Sequence, residues 1–161
     1  MKVLSEKEIH EYLDRCVNLP VSDTWRGYGT AIFLELGNLR RHTNPEKYQS
    51  KGQGDITVMI EWSWRIEGQR SIIVGSFDTN KIMDNKIKTI IDRKVEKIAV
   101  IGKLPELYIQ LSGNRWLHSF ATEAGQPQWG VIFRNEGCLK VMRGKVYFEA
   151  DENKKNGITW R

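Results

Sequence analysis

Cysteine is scarce. The chain has two, Cys16 and Cys138, and their separation fits no C-x-x-C unit, so neither a zinc ribbon nor a thioredoxin-type redox pair is encoded. Spacing gives no support for a disulfide between them. Cys16 falls on the apolar stripe of a helix described below, where a thiol is expected as a small buried hydrophobe. Histidine is also thin, with His10, His42 and His118 far from one another. Long apolar runs are missing. Nothing approaches the roughly 20 residues of a membrane helix. The opening residues Met1 to Glu8 bring acidic side chains at once rather than the apolar core of a signal peptide. The expectation is a cytoplasmic protein with no membrane partner.

Catalytic signatures are absent as well. No G-x-S-x-G, P-loop or G-x-G-x-x-G occurs. Asp55 and Glu61 fall on one face of a predicted strand, but six residues at about 3.3 Å each hold them roughly 20 Å apart, too far for one ion. Glu152-x-Lys154 has nuclease-like spacing but lies in a polar tail. Ser119 follows His118, and adjacent strand residues point to opposite faces, so the two do not form a nucleophile–base pair. His118 itself, between Trp116 and Phe120 on one face, is expected to be partly buried and hydrogen-bonded. No catalytic, cofactor-binding or metal-ligating residue is assigned, and no cofactor is implied.

What is present is an ordinary globular composition: 161 residues, 40% hydrophobic and 28% charged. A chain of this length buries about two-thirds of its unfolded surface and needs no disulfide or metal to fold. We read residues 1–161 as a single domain, with 150–161 as a polar, flexible tail that Trp160 either docks or leaves free. Six tryptophans supply large anchors for the core. The net charge of +5 and pI near 9.2 favour an anionic partner without specifying one.

Ser5 and Glu8 form a capping box, and Ile9, Tyr12, Leu13 and Cys16 follow at helical spacing, which predicts a helix over 5–16 that Pro20 closes. Residues 30–36 read as a strand. From Asp55 to Glu67, Ile56, Val58, Ile60, Trp62, Trp64 and Ile66 alternate without a break, which predicts one long strand with both tryptophans in the core. Exposed rings there would instead suit stacking of bases or sugars. Further strands are predicted over 70–77, 95–101, 107–111, 115–121, 129–133, 138–142 and 146–149, with turn signals between them. Residues 78–92 are partly helical, capped by Asp84 or Asn85. The fold class is therefore α+β, β-dominant: antiparallel sheets of about nine short strands, an N-terminal helix and one further short helix. Free sheet edges would make homo-oligomerisation one way to cover them.

Residues 38–54 carry no periodicity. Arg40, Arg41, Lys47 and Lys51 make this loop basic. The two readings are a solvated connector and a contact surface for an acidic partner or a phosphate backbone.

The run Trp64-Arg65-Ile66-Glu67, then Gly75-Ser76, then Leu107 to Gly113, Leu117, Phe120 and Trp129, resembles a family of small uncharacterised bacterial proteins. That family shows a W-R-I-E strand, a G-S pair and an L-x-L-x-F-S-x-G hairpin that leads to a phenylalanine and a tryptophan. The likeness covers residues 54–149. Leu111 stands where an aromatic is more usual, and the basic loop lies outside the pattern. The resemblance implies an immunity partner of a toxin or another accessory protein of a bacterial conflict system, and carries over no functional residues. A net basic chain is poorly suited to block the basic active site of a nuclease toxin. The leading expectation is a non-enzymatic factor that binds another protein. The alternatives are a nucleic-acid or anion-binding module and an enzyme with a dispersed active site.

Overall fold

A capping box starts the first helix as the sequence requires. Ser5 Oγ accepts from the Glu8 N–H (3.2 Å), and the Glu8 carboxylate accepts from the Ser5 N–H (2.9 Å). The Lys2 ammonium, then the Ser5 backbone, hold the Glu8 carboxyl down at about 2. The computed structural model describes residues 1–124 and 128–152. In chain order its elements are β1 (Lys2–Val3), α1 (Glu6–Asp14), β2 (Val21–Arg26), β3 (Ile32–Leu36), β4 (Arg40–Arg41), β5 (Gly52–Gln53), β6 (Ile56–Ile60), β7 (Trp64–Glu67) and β8 (Ile72–Gly75). Then come α2 (Asn80–Lys86), β9 (Val95–Ile101), β10 (Glu106–Leu111), β11 (Arg115–Ser119), β12 (Trp129–Phe133), β13 (Gly137–Met142) and β14 (Lys145–Ala150).

The strands form a seven-stranded sheet in the order β1-β14-β13-β12-β6-β3-β2, a five-stranded sheet in the order β8-β7-β11-β10-β9, and the small β4–β5 pair. Every pairing is antiparallel. Alternate side chains of the two large sheets meet in one core, with Trp64, Trp129 and Phe133 its largest buried members. Leu13 and Cys16 of the first helical segment join it, as do Met83, Ile87 and Ile90 from α2 and the 3-10 turn that follows. No helix among the described residues is long and apolar enough to cross a membrane.

The class is β-dominant as expected, but with fourteen strands among the described residues rather than about nine. The unbroken alternation of Asp55 to Glu67 hides one error. Ile56–Ile60 belongs to the seven-stranded sheet and Trp64–Glu67 to the five-stranded one, so the chain crosses between sheets at Glu61-Trp62-Ser63. Both strands face the shared core with the same parity, which is why the pattern reads as continuous. Trp62 sits at the crossing with φ of 64° and is 43% exposed, while Trp64 is fully buried. The placement of Trp62 in the core is thus corrected. The crossing is fixed by Thr30 Oγ1 donating to Trp62 O (2.8 Å), Glu61 N–H to Gln128 O (2.8 Å) and Phe120 N–H to Ser63 O (3.1 Å).

Four further strands have weak sequence signals. β1, β4 and β5 are two residues each, too short for periodicity. β2 reads Val-Ser-Asp-Thr-Trp-Arg, and its polar residues suggest a loop, yet it pairs with β3 from Val21–Leu36 to Arg26–Ile32. Thr79, not Asp84 or Asn85, caps α2. Asp84 instead takes a bidentate contact from Arg26 (2.8 and 3.2 Å), which holds its carboxyl below the usual range. Ala150 closes β14 rather than opening a tail. The rest of the tail reading, with Lys154 and Trp160, falls on residues 153–161, outside those described.

Two stability outcomes are expected. Trp64→Ala should lower the unfolding free energy by about 3–5 kcal/mol as a core truncation, and Trp62→Ala by less than about 1 kcal/mol, read from urea midpoints. Burial pushes the Cys16 thiol up to about 12 from 9.0, against a small opposing pull from Arg15. A raised thiol keeps its full contribution below the unfolded value and loses it as pH rises through the folded one. The midpoint should therefore fall between pH 9.0 and about 12, and a Cys16→Ala variant should show a smaller decline over that window.

Candidate functional site: a cleft under the basic loop

Gly37, at φ of 80°, turns the chain out of β3 and into residues 38–54. The segment doubles back because β4 and β5 pair at Arg40–Gln53 and Arg41–Gly52. Only a glycine fits at position 54, where an added Cβ would lie 2.5 Å from Leu36 O. Within the loop the His42 ring stacks on Tyr48 (4.0 Å between centroids, 22° between planes), and His42 Nε2 contacts Ser50 Oγ at 2.8 Å.

Buried carboxylates tie this loop to the sheet. Asp23 and Glu35 face each other across β2 and β3, and Glu35 faces Thr57 on β6. All three are on the outer side of the seven-stranded sheet, and the loop covers them. Glu35 is 3% exposed and accepts from Trp25 Nε1 (3.0 Å), Gly54 N (2.9 Å) and Thr57 Oγ1 (2.5 Å). Asp23 accepts from the N–H groups of Thr24 (2.9 Å) and Lys51 (2.8 Å). Asp55 accepts from Asn38 N (2.9 Å) and from Arg134 (2.6 Å), which also donates to Gln53 O (3.1 Å). A buried carboxylate persists only when donors replace its water. Two of those donors, Lys51 N on Asp23 and Gly54 N on Glu35, are loop backbone, so the basic segment is held in place rather than left as a free connector.

Between this loop and the outer face of β12–β14 opens a cleft of about 1290 Å³. The loop contributes Arg40, Arg41, His42, Lys47 and Tyr48, and the sheet side contributes Ile132, Arg134 and Cys138. Glu149, Asp151 and Glu152 form an acidic rim. Of the basic residues expected to contact a partner, Arg40, Arg41 and Lys47 therefore gather at one cavity. Lys51 lies outside its lining and serves through its backbone N–H on Asp23. Among the described residues, none of these four side chains makes an ion pair. Arg134 and the acidic rim have no local sequence signal, because only the pairing of β12 with β6 brings them to the loop.

Two side chains of nucleophilic type lie in or beside the cleft. Burial pushes the Cys138 thiol up to about 11, so it is neutral at physiological pH. Ser50 and His42 stand at nucleophile–base distance, but Ser50 is 7% exposed and does not line the cleft, so its hydroxyl braces the loop. His10 approaches Asp14 on α1 (3.4 Å), and His118 lies on β11, edge-on to Tyr108 at 5.8 Å. His118 is half-buried as expected, but its Nδ1 has no hydrogen-bond partner among the described residues, against the expectation of a satisfied ring. Among the described residues no group of three or more His, Cys, Asp or Glu is placed to hold a metal.

Removing the anchors should separate loop order from global stability. Glu35→Ala leaves three donors without an acceptor and should cost about 3 kcal/mol by urea unfolding. Asp23→Ala frees one loop contact. It should speed amide exchange within 38–54 well beyond any change in the midpoint.

No protein-family model, curated protein or solved structure matches the chain.

Proposed function

We propose that the protein is a non-enzymatic interaction factor that takes an acidic segment of a partner protein in the cleft beneath the 38–54 loop. The observation that carries this reading is the cationic wall of Arg40, Arg41 and Lys47, without an ion pair among the described residues, on a loop anchored by buried carboxylates. Holding the charges in place beforehand lowers the ordering cost of association. The acidic rim at Glu149, Asp151 and Glu152 disfavours a continuous polyanion in the same cavity and suits a peptide segment with both charged and apolar groups. Ile132 supplies the apolar floor. An immunity or accessory role in a bacterial conflict system is the finer form of the proposal, and the W-R-I-E and hairpin resemblance supports it.

The test is affinity capture of the tagged chain from its native host lysate, with and without nuclease, beside an Arg40→Glu/Arg41→Glu variant. One protein should be retained by the wild type after nuclease treatment, lost from the variant and weakened by salt. Capture that ignores the charge reversal, or that disappears with nuclease, overturns the proposal.

A further inference from the structure

The five-stranded sheet turns a row of aromatic rings outward. Its central strand is β11. Leu117 and Ser119 of that strand point inward and are buried, which sends Trp116 and His118 to the other face. Phe120 continues the row just past the strand, and Arg65 stands 5.3 Å over its ring. Tyr108 on β10 lies opposite His118, and Gln110 lies opposite Trp116. Alternate residues along a strand are about 7 Å apart, so Trp116, His118 and Phe120 form a regular ladder of half-buried rings. Tyr108 widens it by one strand.

We propose that this face is a stacking platform for single-stranded nucleic acid. Bases stack on successive aromatic rings and on arginine planes whatever their sequence, while an antiparallel sheet keeps the rings in register. Charge around the row fits a phosphate backbone. Arg70 is exposed in the β7–β8 turn, at the end of the sheet that carries Trp116. Lys103 is exposed in the β9–β10 turn, at the other end, and Lys97 is exposed on β9 opposite Gln110. Of the bordering carboxylates, Glu67 has a cationic partner, while Glu96 and Glu106 accept from neutral donors and keep their charge. Glu67 pairs with Arg65 (2.6 Å), Glu96 accepts from Gln110 (3.0 Å), and Glu106 accepts from Ser119 Oγ (2.6 Å) and Ala121 N (2.7 Å). A protein partner would meet polar and charged groups between the rings rather than a continuous apolar patch. A duplex keeps its bases stacked inside and cannot reach the rings.

The experiment is fluorescence anisotropy of labelled dT and U homopolymers with the full chain, against a duplex of equal length. The single strands should bind, weaken steeply as salt rises, and bind better than the duplex. Trp116→Ala and Phe120→Ala should each weaken binding about 10-fold, and Trp116→Phe should retain most of it. Arg40→Ala/Arg41→Ala should leave it unchanged, since those residues belong to the cleft on the other sheet. Urea midpoints identify folded variants. If Trp116→Ala does not fold, Tyr108→Leu and Phe120→Leu carry the same test. The proposal is overturned if the wild type fails to bind at low salt, if folded ring variants bind like the wild type, or if only the Arg40 and Arg41 substitutions abolish binding.

Discussion

Trp64 joins the two large sheets, and most of the architecture depends on how it is held. Its indole is fully buried in the shared core, and its Nε1–H donates to Thr30 O (2.6 Å), at the mouth of β3 in the seven-stranded sheet. Its backbone N–H donates to Ser76 Oγ (3.1 Å), and its carbonyl accepts from Ser76 N (2.9 Å), just after β8. One side chain thus satisfies its polar atom on one sheet while its backbone extends the β7–β8 pairing of the other. An indole buried without that acceptor would carry an unpaired N–H, so the Thr30 contact fixes both where the chain crosses and how the sheets meet. The left-handed backbone at Trp62 belongs to the same crossing, and its strain persists because hydrogen bonds on both flanks over-determine it.

A second constraint acts on the outer side of the seven-stranded sheet. Two carboxylates there are buried, a costly arrangement in most contexts. The cost is offset because the loop over 38–54 brings backbone N–H groups to them. The sheet and the loop therefore need each other: the carboxylates cannot be dry without the loop, and the loop has no apolar stripe with which to fold alone. The contacts from the loop to these two carboxylates use main-chain atoms and leave its cationic side chains out of the anchoring.

The two proposed surfaces follow from the two-layer arrangement. Inward faces of both sheets are spent on the core, so specificity has only the outward faces to use. One outward face is roofed by the basic loop and becomes a cleft, and the other is open and lined by rings. The cleft and the row of rings lie on different sheets.

Much of this organisation is legible in the sequence. The capping box of α1, the period-two runs of β9 to β14 and the β10–β11 turn depend on neighbours within a few residues, and local chemistry is enough to specify them. Alternation also identified which side of Ile56 to Ile66 faces the core. It could not say to which sheet each half belongs, because parity is unchanged by a crossing. The polar strand β2 has no local strand signal, because its Asp23 is buried by a loop some 28 residues later. The basic loop is recognisable from composition, and the fold places Arg40, Arg41 and Lys47 on one cleft and Lys51 outside its lining. The cleft is not recognisable in that way, since Arg134 and the acidic rim reach it only through the pairing of β12 with β6. Residue chemistry and local periodicity are fixed by the sequence alone, whereas the partners of long-range hydrogen bonds exist only once the sheets have closed.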